Sequence, residues 1–240
     1  MTNYTQWKSL VDLHEYSAIP DSAIIQWEFS GLEASDTTAP DSIGDENLSL
    51  VDFDSDNIYS SDDFIGGTAL QPGNESDSNG WPDNGFAKLD KKLEPVTGGN
   101  DFSIGLTYND RFGIPDESNY IIQNGERDVD GVFVSFNDGE FRVSVSNPER
   151  SDRSESNLPS GTHRVLITFD DSSNEIEIYV DGDQQGDGTN GNSVPGDVDF
   201  QIGGDRDDAR CILPLDNVIV YDEVLESDDI QKDFDVQPFA

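Results

Sequence analysis

Residues 162–170 read Thr162-His163-Arg164-Val165-Leu166-Ile167-Thr168-Phe169-Asp170, and after Asp171-Ser172-Ser173-Asn174 the chain resumes as Glu175-Ile176-Glu177-Ile178-Tyr179-Val180-Asp181-Gly182. Residues 164–169 and 175–180 follow a period of two, rich in β-branched and aromatic side chains, and each run ends in an Asp, Ser, Asn or Gly cluster. That pattern predicts two strands joined by a tight connection, with a second turn at Asp181-Gly182-Asp183. A helix of the same length would need apolar positions three and four apart.

The same beat recurs outward in both directions. It appears at Ile24-Ile25-Gln26-Trp27-Glu28-Phe29, at 101–108, 132–136 and 141–145, and again at 198–202 and 215–221. Asn137-Asp138-Gly139 separates two of these runs as a hairpin turn. Many short strands with little helical pattern predict an all-β antiparallel sandwich of the jelly-roll type. Two segments, 66–100 and 183–197, read as long polar loops. Residues 1–21 differ: Trp7, Leu10, Val11 and His14 recur at helical steps and Pro20 closes the run. This predicts a short helical arm, too short to be stable alone, which packs on the domain 22–240 or on a partner.

Composition restricts function. The chain has 51 Asp and Glu against 13 Lys and Arg, a formal net charge of -38. Such a surface has no cationic patch for nucleic-acid phosphates or anionic membranes, and no apolar run reaches membrane-spanning length. Acidic pairs such as Asp62-Asp63, Asp170-Asp171, Asp207-Asp208 and Asp228-Asp229 are spread through the chain. Repulsion this dense is tolerable when molar salt shortens the Debye length to about 3 Å, which points to a saturated-salt, haloarchaeal setting. The single Cys211 excludes an internal disulfide and a cysteine-based zinc site, and no signal peptide is visible at the N-terminus.

The 158–182 stretch resembles the signature hairpin of laminin-G-like, concanavalin A-like lectin jelly rolls. The likeness continues through Phe200-Gln201-Ile202-Gly203, Leu215-Asp216-Asn217-Val218-Ile219-Val220-Tyr221 and Ser227-Asp228-Asp229-Ile230, the last resembling the short helix that closes such domains. Gln26-Trp27-Glu28-Phe29 and Asp41-Ser42-Ile43-Gly44 resemble the first strand and an early loop. The resemblance implies a structural Ca²⁺ held by Asp216, with carbonyls near Glu28 and Gly66. A second calcium-like run, Asp52-Phe53-Asp54-Ser55-Asp56-Asn57, lacks the turn glycine and the final Glu of a calcium loop.

Glu175 and Glu177 lie on one strand face about 7 Å apart, the arrangement that retaining glycoside hydrolases of this fold use. Tyr179 stands where a further acid is expected, so the pair reads as a solvent-facing hairpin and the protein as a non-enzyme. Ligand recognition in this fold class is loop-borne. Trp81, in the turn-rich run Asn79-Gly80-Trp81-Pro82-Asp83-Asn84-Gly85, is the leading candidate for stacking on a sugar ring. Tyr59, Phe112, Tyr120 and Asp205-Arg206-Asp207 follow it. The combined expectation is a carbohydrate- or glycoprotein-binding virion component of a haloarchaeal virus, in a turret, capsid decoration or tail fibre. It would attach to a host surface glycan or S-layer glycoprotein, contact other virion proteins through residues 1–21, and form a homo-oligomer. A spacer protein of the particle, or a haloarchaeal cell-surface adhesion domain, is the alternative.

Overall fold

The computed structural model of the chain describes residues 19–61, 64, 67–72, 85–96, 99–109, 119–126, 130–137, 140–145, 154–156, 161–189, 199–204, 211 and 213–235. The arm falls outside them up to residue 18. Among the described residues sixteen strands form two eight-stranded antiparallel sheets. The first runs in the order β14 (Asp183–Thr189), β13 (Glu175–Val180), β12 (Thr162–Asp170), β7 (Phe102–Asn109), β16 (Leu215–Tyr221), β5 (Thr68–Leu70) and β4 (Ile58–Ser60), with β1 (Ala23–Trp27) also paired to β16. The second runs β11 (Ser154–Ser156), β10 (Glu140–Val145), β9 (Asp130–Asn137), β8 (Asn119–Glu126), β15 (Phe200–Ile202), β6 (Phe86–Lys88), β3 (Leu48–Val51) and β2 (Thr38–Ala39). The all-β sandwich expected from the alternation is the observed architecture.

The hairpin that decided the fold forms as read. β12 and β13 pair from Val165↔Val180 to Asp170↔Glu175. The connection between them is tied by the Asp170 carboxylate, whose Oδ1 accepts the backbone N–H of Ser172 at 2.8 Å and of Ser173 at 3.1 Å. In the next turn Asp181 and Gly182 both have positive φ, 53° and 83°, as a two-residue turn between right-twisted strands requires.

Alternation places Val165, Ile167 and Phe169 in one core with Ile104 and Leu106 of β7, and with Val132, Val134, Phe141 and Val143 from the opposite sheet. Trp27 and Phe200 span the two layers with ring centroids 5.3 Å apart. The opposite side of β12 presents Arg164 and Leu166 to α1 (Ser227–Asp235), the closing helix expected at the C-terminus. Leu166, Ile219, Tyr221, Leu225 and Ile230 make a second cluster there, and Ile19 packs against it.

Two expectations about loops are corrected. The 66–100 segment contains β5 and β6, and the 183–197 segment opens with β14. β5 and β6 have three residues each, too few to display a period. β14 reads Asp-Gln-Gln-Gly-Asp-Gly-Thr, without the apolar alternation of a strand with a buried face, because it is the edge of its sheet. The Asp52–Asn57 run is also accounted for structurally. Asp54 caps a 3-10 turn, accepting the Asp56 N–H at 2.7 Å while Asn57 Oδ1 accepts the Asp54 N–H at 2.9 Å.

Candidate functional site

The outer face of the first sheet is partly covered by α1, whereas the outer face of the second sheet carries an in-register row of side chains. The row follows from pairing alone: Thr38↔Ser49, Ser49↔Lys88, Lys88↔Gln201, Gln201↔Gln123, Gln123↔Phe133 and Phe133↔Ser144. Residues directly opposite each other share a face. The flanking inward residues, Leu48, Ala87, Ile202, Ile122, Val132, Val134 and Val143, all lie in the core, so this row points outward. Seven strands at about 4.8 Å spacing extend it over roughly 29 Å. A second, shorter row joins Tyr120, Ser135, Arg142 and Glu155.

The chemistry of the longer row is unlike that of the chain as a whole. In a protein with 51 acidic residues, the seven-membered row holds no carboxylate; it offers hydroxyls, two amides, one ammonium and one aromatic ring. Gln123 and Phe133, fifth and sixth along it, are buried, at 1% and 9% exposure, while Ser49, Lys88, Gln201, Tyr120, Ser135, Arg142 and Ser144 are half-buried. Tyr120 stands edge-on to Phe133, centroids 6.0 Å apart at 72°. Gln123 Nε2 donates to the Gly125 carbonyl at 2.9 Å, but its Oε1 accepts no hydrogen bond from the described residues. A buried acceptor left in that state costs about 1–3 kcal/mol. Lys88 Nζ is held by Asp90 at 2.8 Å, and this hydrogen bond raises the ammonium above its usual range against a slight burial penalty. Amides and hydroxyls beside aromatic rings, spaced along an extended line, suit a hydroxyl-rich, extended ligand.

Of the residues expected to contact a ligand, Tyr120 belongs to this face. Tyr59 is buried in a separate small cluster, edge-on to Phe64 with centroids 5.8 Å apart. Trp81, Phe112, Asp205, Arg206 and Asp207 lie outside the described residues. Among the residues expected at the calcium site, Gly66 also lies outside them, while Asp216 and Glu28 sit at the junction of β1 and β16. Asp216 is 1% exposed and its Oδ1 accepts the Phe29 N–H at 2.9 Å. Burial pushes this carboxyl up to about 7, opposed by the backbone N–H groups of Phe29 and Asn217 and reinforced by the charge of Glu28. Glu28 is exposed and its Oε1 accepts from Gln26 Nε2 at 3.0 Å.

Both oxygens of Glu177 are occupied, by the Tyr179 hydroxyl at 2.8 Å and by Gln184 Nε2 at 2.9 Å. Cys211 is buried, which pushes its thiol up to about 12 and leaves it an apolar filler. No helix among the described residues is long and apolar enough to cross a membrane.

A profile of the concanavalin A-like lectin/glucanases superfamily matches residues 90–231. No curated protein matches the chain. Similar solved structures include the binding domain of botulinum neurotoxin DC in complex with SialylT, at 13% identity and a TM-score of 0.65 over 90% of this chain and 52% of that one. Domain 4 of AbnA, a GH43 extracellular arabinanase from Geobacillus stearothermophilus in complex with arabinotriose, is 16% identical with a TM-score of 0.61, over 88% of this chain and 98% of that one. Trypanosoma rangeli sialidase in complex with 2,3-difluorosialic acid is 15% identical with a TM-score of 0.62; 90% of this chain is covered, and it spans only 33% of the sialidase. Likeness at these identities is likeness of fold.

Proposed function

Because the chain belongs to the concanavalin A-like lectin/glucanases superfamily, whose profile covers residues 90–231, we propose that it is a non-enzymatic glycan-binding module. Its ligand lies along the outer face of the second sheet. The observation that carries this reading is the acid-free row Thr38, Ser49, Lys88, Gln201, Gln123, Phe133 and Ser144, with the half-buried Gln201 at its centre. The complexes of the neurotoxin domain and of the arabinanase module with sugars support the ligand class. Labelled protein in molar KCl is expected to select particular glycans on an array. Gln201→Ala and Tyr120→Ala are each expected to weaken binding about tenfold, the loss of roughly one well-formed contact. Trp81→Ala tests the loop-borne alternative: a total loss there with both face variants unaffected moves the site to the loop. Absence of glycan binding overturns the reading, and hydrolysis of a bound polysaccharide overturns its non-enzymatic part.

The finer setting is a haloarchaeal virus particle that uses this module on a glycosylated host surface, with residues 1–21 contacting other virion proteins. It is supported by the acidic composition and tested by whether capsid, portal or tail genes flank this one. The reading includes a calcium ion held by Asp216 with carbonyls near Glu28 and Gly66, an oxygen-only donor set that suits a hard cation. Without a cation, the raised folded-state value of Asp216 has a definite sign. Its contribution to stability is fully present below about pH 3.8 and is lost as pH rises through about 7, a loss of about 4 kcal/mol at most. Bound calcium suppresses that loss. A Tm at pH 8 that calcium raises and a chelator lowers, in the parent but not in Asp216→Asn, is the expected result; insensitivity of the parent to calcium removes the ion from the account.

A further inference from the structure

On the other side of the sandwich from the proposed glycan face, a groove of about 380 Å³ runs between the outer face of β13 and the segment leading into α1. Leu225 and Ile230, both buried, line it together with Val224. Tyr179 and Glu177 stand on the strand side and Glu226 on the facing segment. Glu175 is the next outward residue of β13, about 7 Å along the strand. The Tyr179 ring is thus bordered by three carboxylates, and no lysine or arginine is among the described residues lining the groove. Burial first, then the hydrogen bond to Glu177 and the charges of Glu177, Glu175 and Glu226, drive the phenol well above its ordinary range. Glu177 already accepts one bond on each oxygen, but each carboxylate oxygen has a second lone pair.

We propose that this groove docks an arginine side chain of a partner protein, with the guanidinium between the Tyr179 ring and the carboxylates of Glu177 and Glu226 and the methylenes on Leu225 and Ile230. The apolar lining selects against a bare metal ion, which gains nothing from aliphatic contact and demands a shell of oxygens. The carboxylates call for a cation. In molar salt the attraction between distant charges is screened out, so recognition depends on contact chemistry. A planar guanidinium supplies it by stacking on an aromatic ring and by paired hydrogen bonds to carboxylate; a lysine ammonium stays more strongly hydrated. The groove is at the small end of ligand sites, which run from about 300 to 1,000 Å³, and so accepts one long side chain with its neighbours.

Fluorescence anisotropy of the full chain in molar KCl tests this, with a labelled hexapeptide carrying one arginine between leucines and its lysine and citrulline counterparts. The arginine peptide is expected to bind, the lysine peptide several-fold more weakly and the neutral citrulline peptide least. Glu177→Gln and Tyr179→Leu should each weaken the arginine peptide about tenfold, and Tyr179→Phe, which keeps the ring, should retain most of the binding. Thermal melts of the same variants check that they fold, and their glycan binding should be unchanged, which keeps this test separate from that of the outer face. No binding of the arginine peptide, equal binding of the arginine and citrulline peptides, or no effect of Glu177→Gln in a folded variant would each overturn the proposal.

Discussion

Asp233→Ala is expected to cost about 3–5 kcal/mol and to release α1 from the first sheet. That is a large part of the roughly 5–15 kcal/mol that holds an ordinary domain together. Arg164 and Asp233 are each 1% exposed. The guanidinium donates to both carboxylate oxygens, Nη2 to Oδ1 at 2.6 Å and Nε to Oδ2 at 3.0 Å, and Nη1 donates to the Asn217 carbonyl at 2.5 Å. Tyr221 adds its hydroxyl to Asp233 Oδ1 at 2.6 Å. Burial works against the Arg164 charge, but the Asp233 carboxylate more than compensates and holds it above its ordinary value. Without that carboxylate a guanidinium is stranded in an apolar layer. Gly105→Ala should damage the same lock by another route, since a Cβ at Gly105 would overlap both the Arg164 guanidinium and the Asp233 carboxylate. The double replacement Arg164→Met with Asp233→Leu should recover much of the loss, because the cost is that of an unpaired charge. Denaturant melts measure all four proteins; a loss below about 1 kcal/mol in Asp233→Ala would refute the argument.

β13 and β10 were legible because each buries one face, which imposes the period of two. β12, β7 and β16 are buried on both faces and were legible as runs of β-branched and aromatic residues bounded by turn residues. The outer-face site was not, although half of it lay in view: Phe133, Ser135, Arg142 and Ser144 are the outward members of runs whose alternation had been read. Gln201 is the outward residue of the 198–202 run; Gln123, Lys88, Ser49 and Thr38 complete the row, and they come from strands whose pairing no local pattern reveals. β15 and β6 have three residues each. β8 carries a bulge between Tyr120 and Ile122 that buries Ile121 and Ile122 together and breaks the alternation. A row made of one residue per strand is a property of register, and register is set by long-range packing.

The acids of the Asp52–Asn57 run take up local backbone bonds for a related reason. Aspartate is short enough to fold back on nearby backbone N–H groups, and a highly acidic chain uses it there repeatedly. Asp41 accepts from Gln26, Ile43 and Gly44 through Oδ1 and from Glu46 through Oδ2, at 3.0–3.1 Å. Those bonds outweigh the burial penalty and hold the carboxyl below its usual value. Asp54 and Asp170 do the same for a 3-10 turn and a hairpin. Among the described residues, Asp41, Asp54 and Asp170 are spaced as turns require.

Transfer from molar KCl to about 0.1 M salt is expected to lower the Tm by tens of degrees or to unfold the protein outright. At 0.1 M the Debye length is about 10 Å, longer than the spacing between neighbouring surface charges, so a net charge of -38 repels itself across the whole surface. The few cations give little relief. Lys88, Lys91, Lys92 and Lys232 each serve one nearby carboxylate on the surface, where solvent leaves such pairs weak, and Arg164 is committed to the interior. Salt that screens charge and salt that strengthens apolar burial would both raise the Tm, and pH separates them. Lowering the pH of the low-salt sample toward 4, where ordinary carboxylates begin to take up protons, reduces the repulsion without adding ions. Recovery of the fold there, followed by circular dichroism, is the outcome that repulsion requires; a Tm indifferent to both salt and pH would mean that the acidic coat does not limit stability.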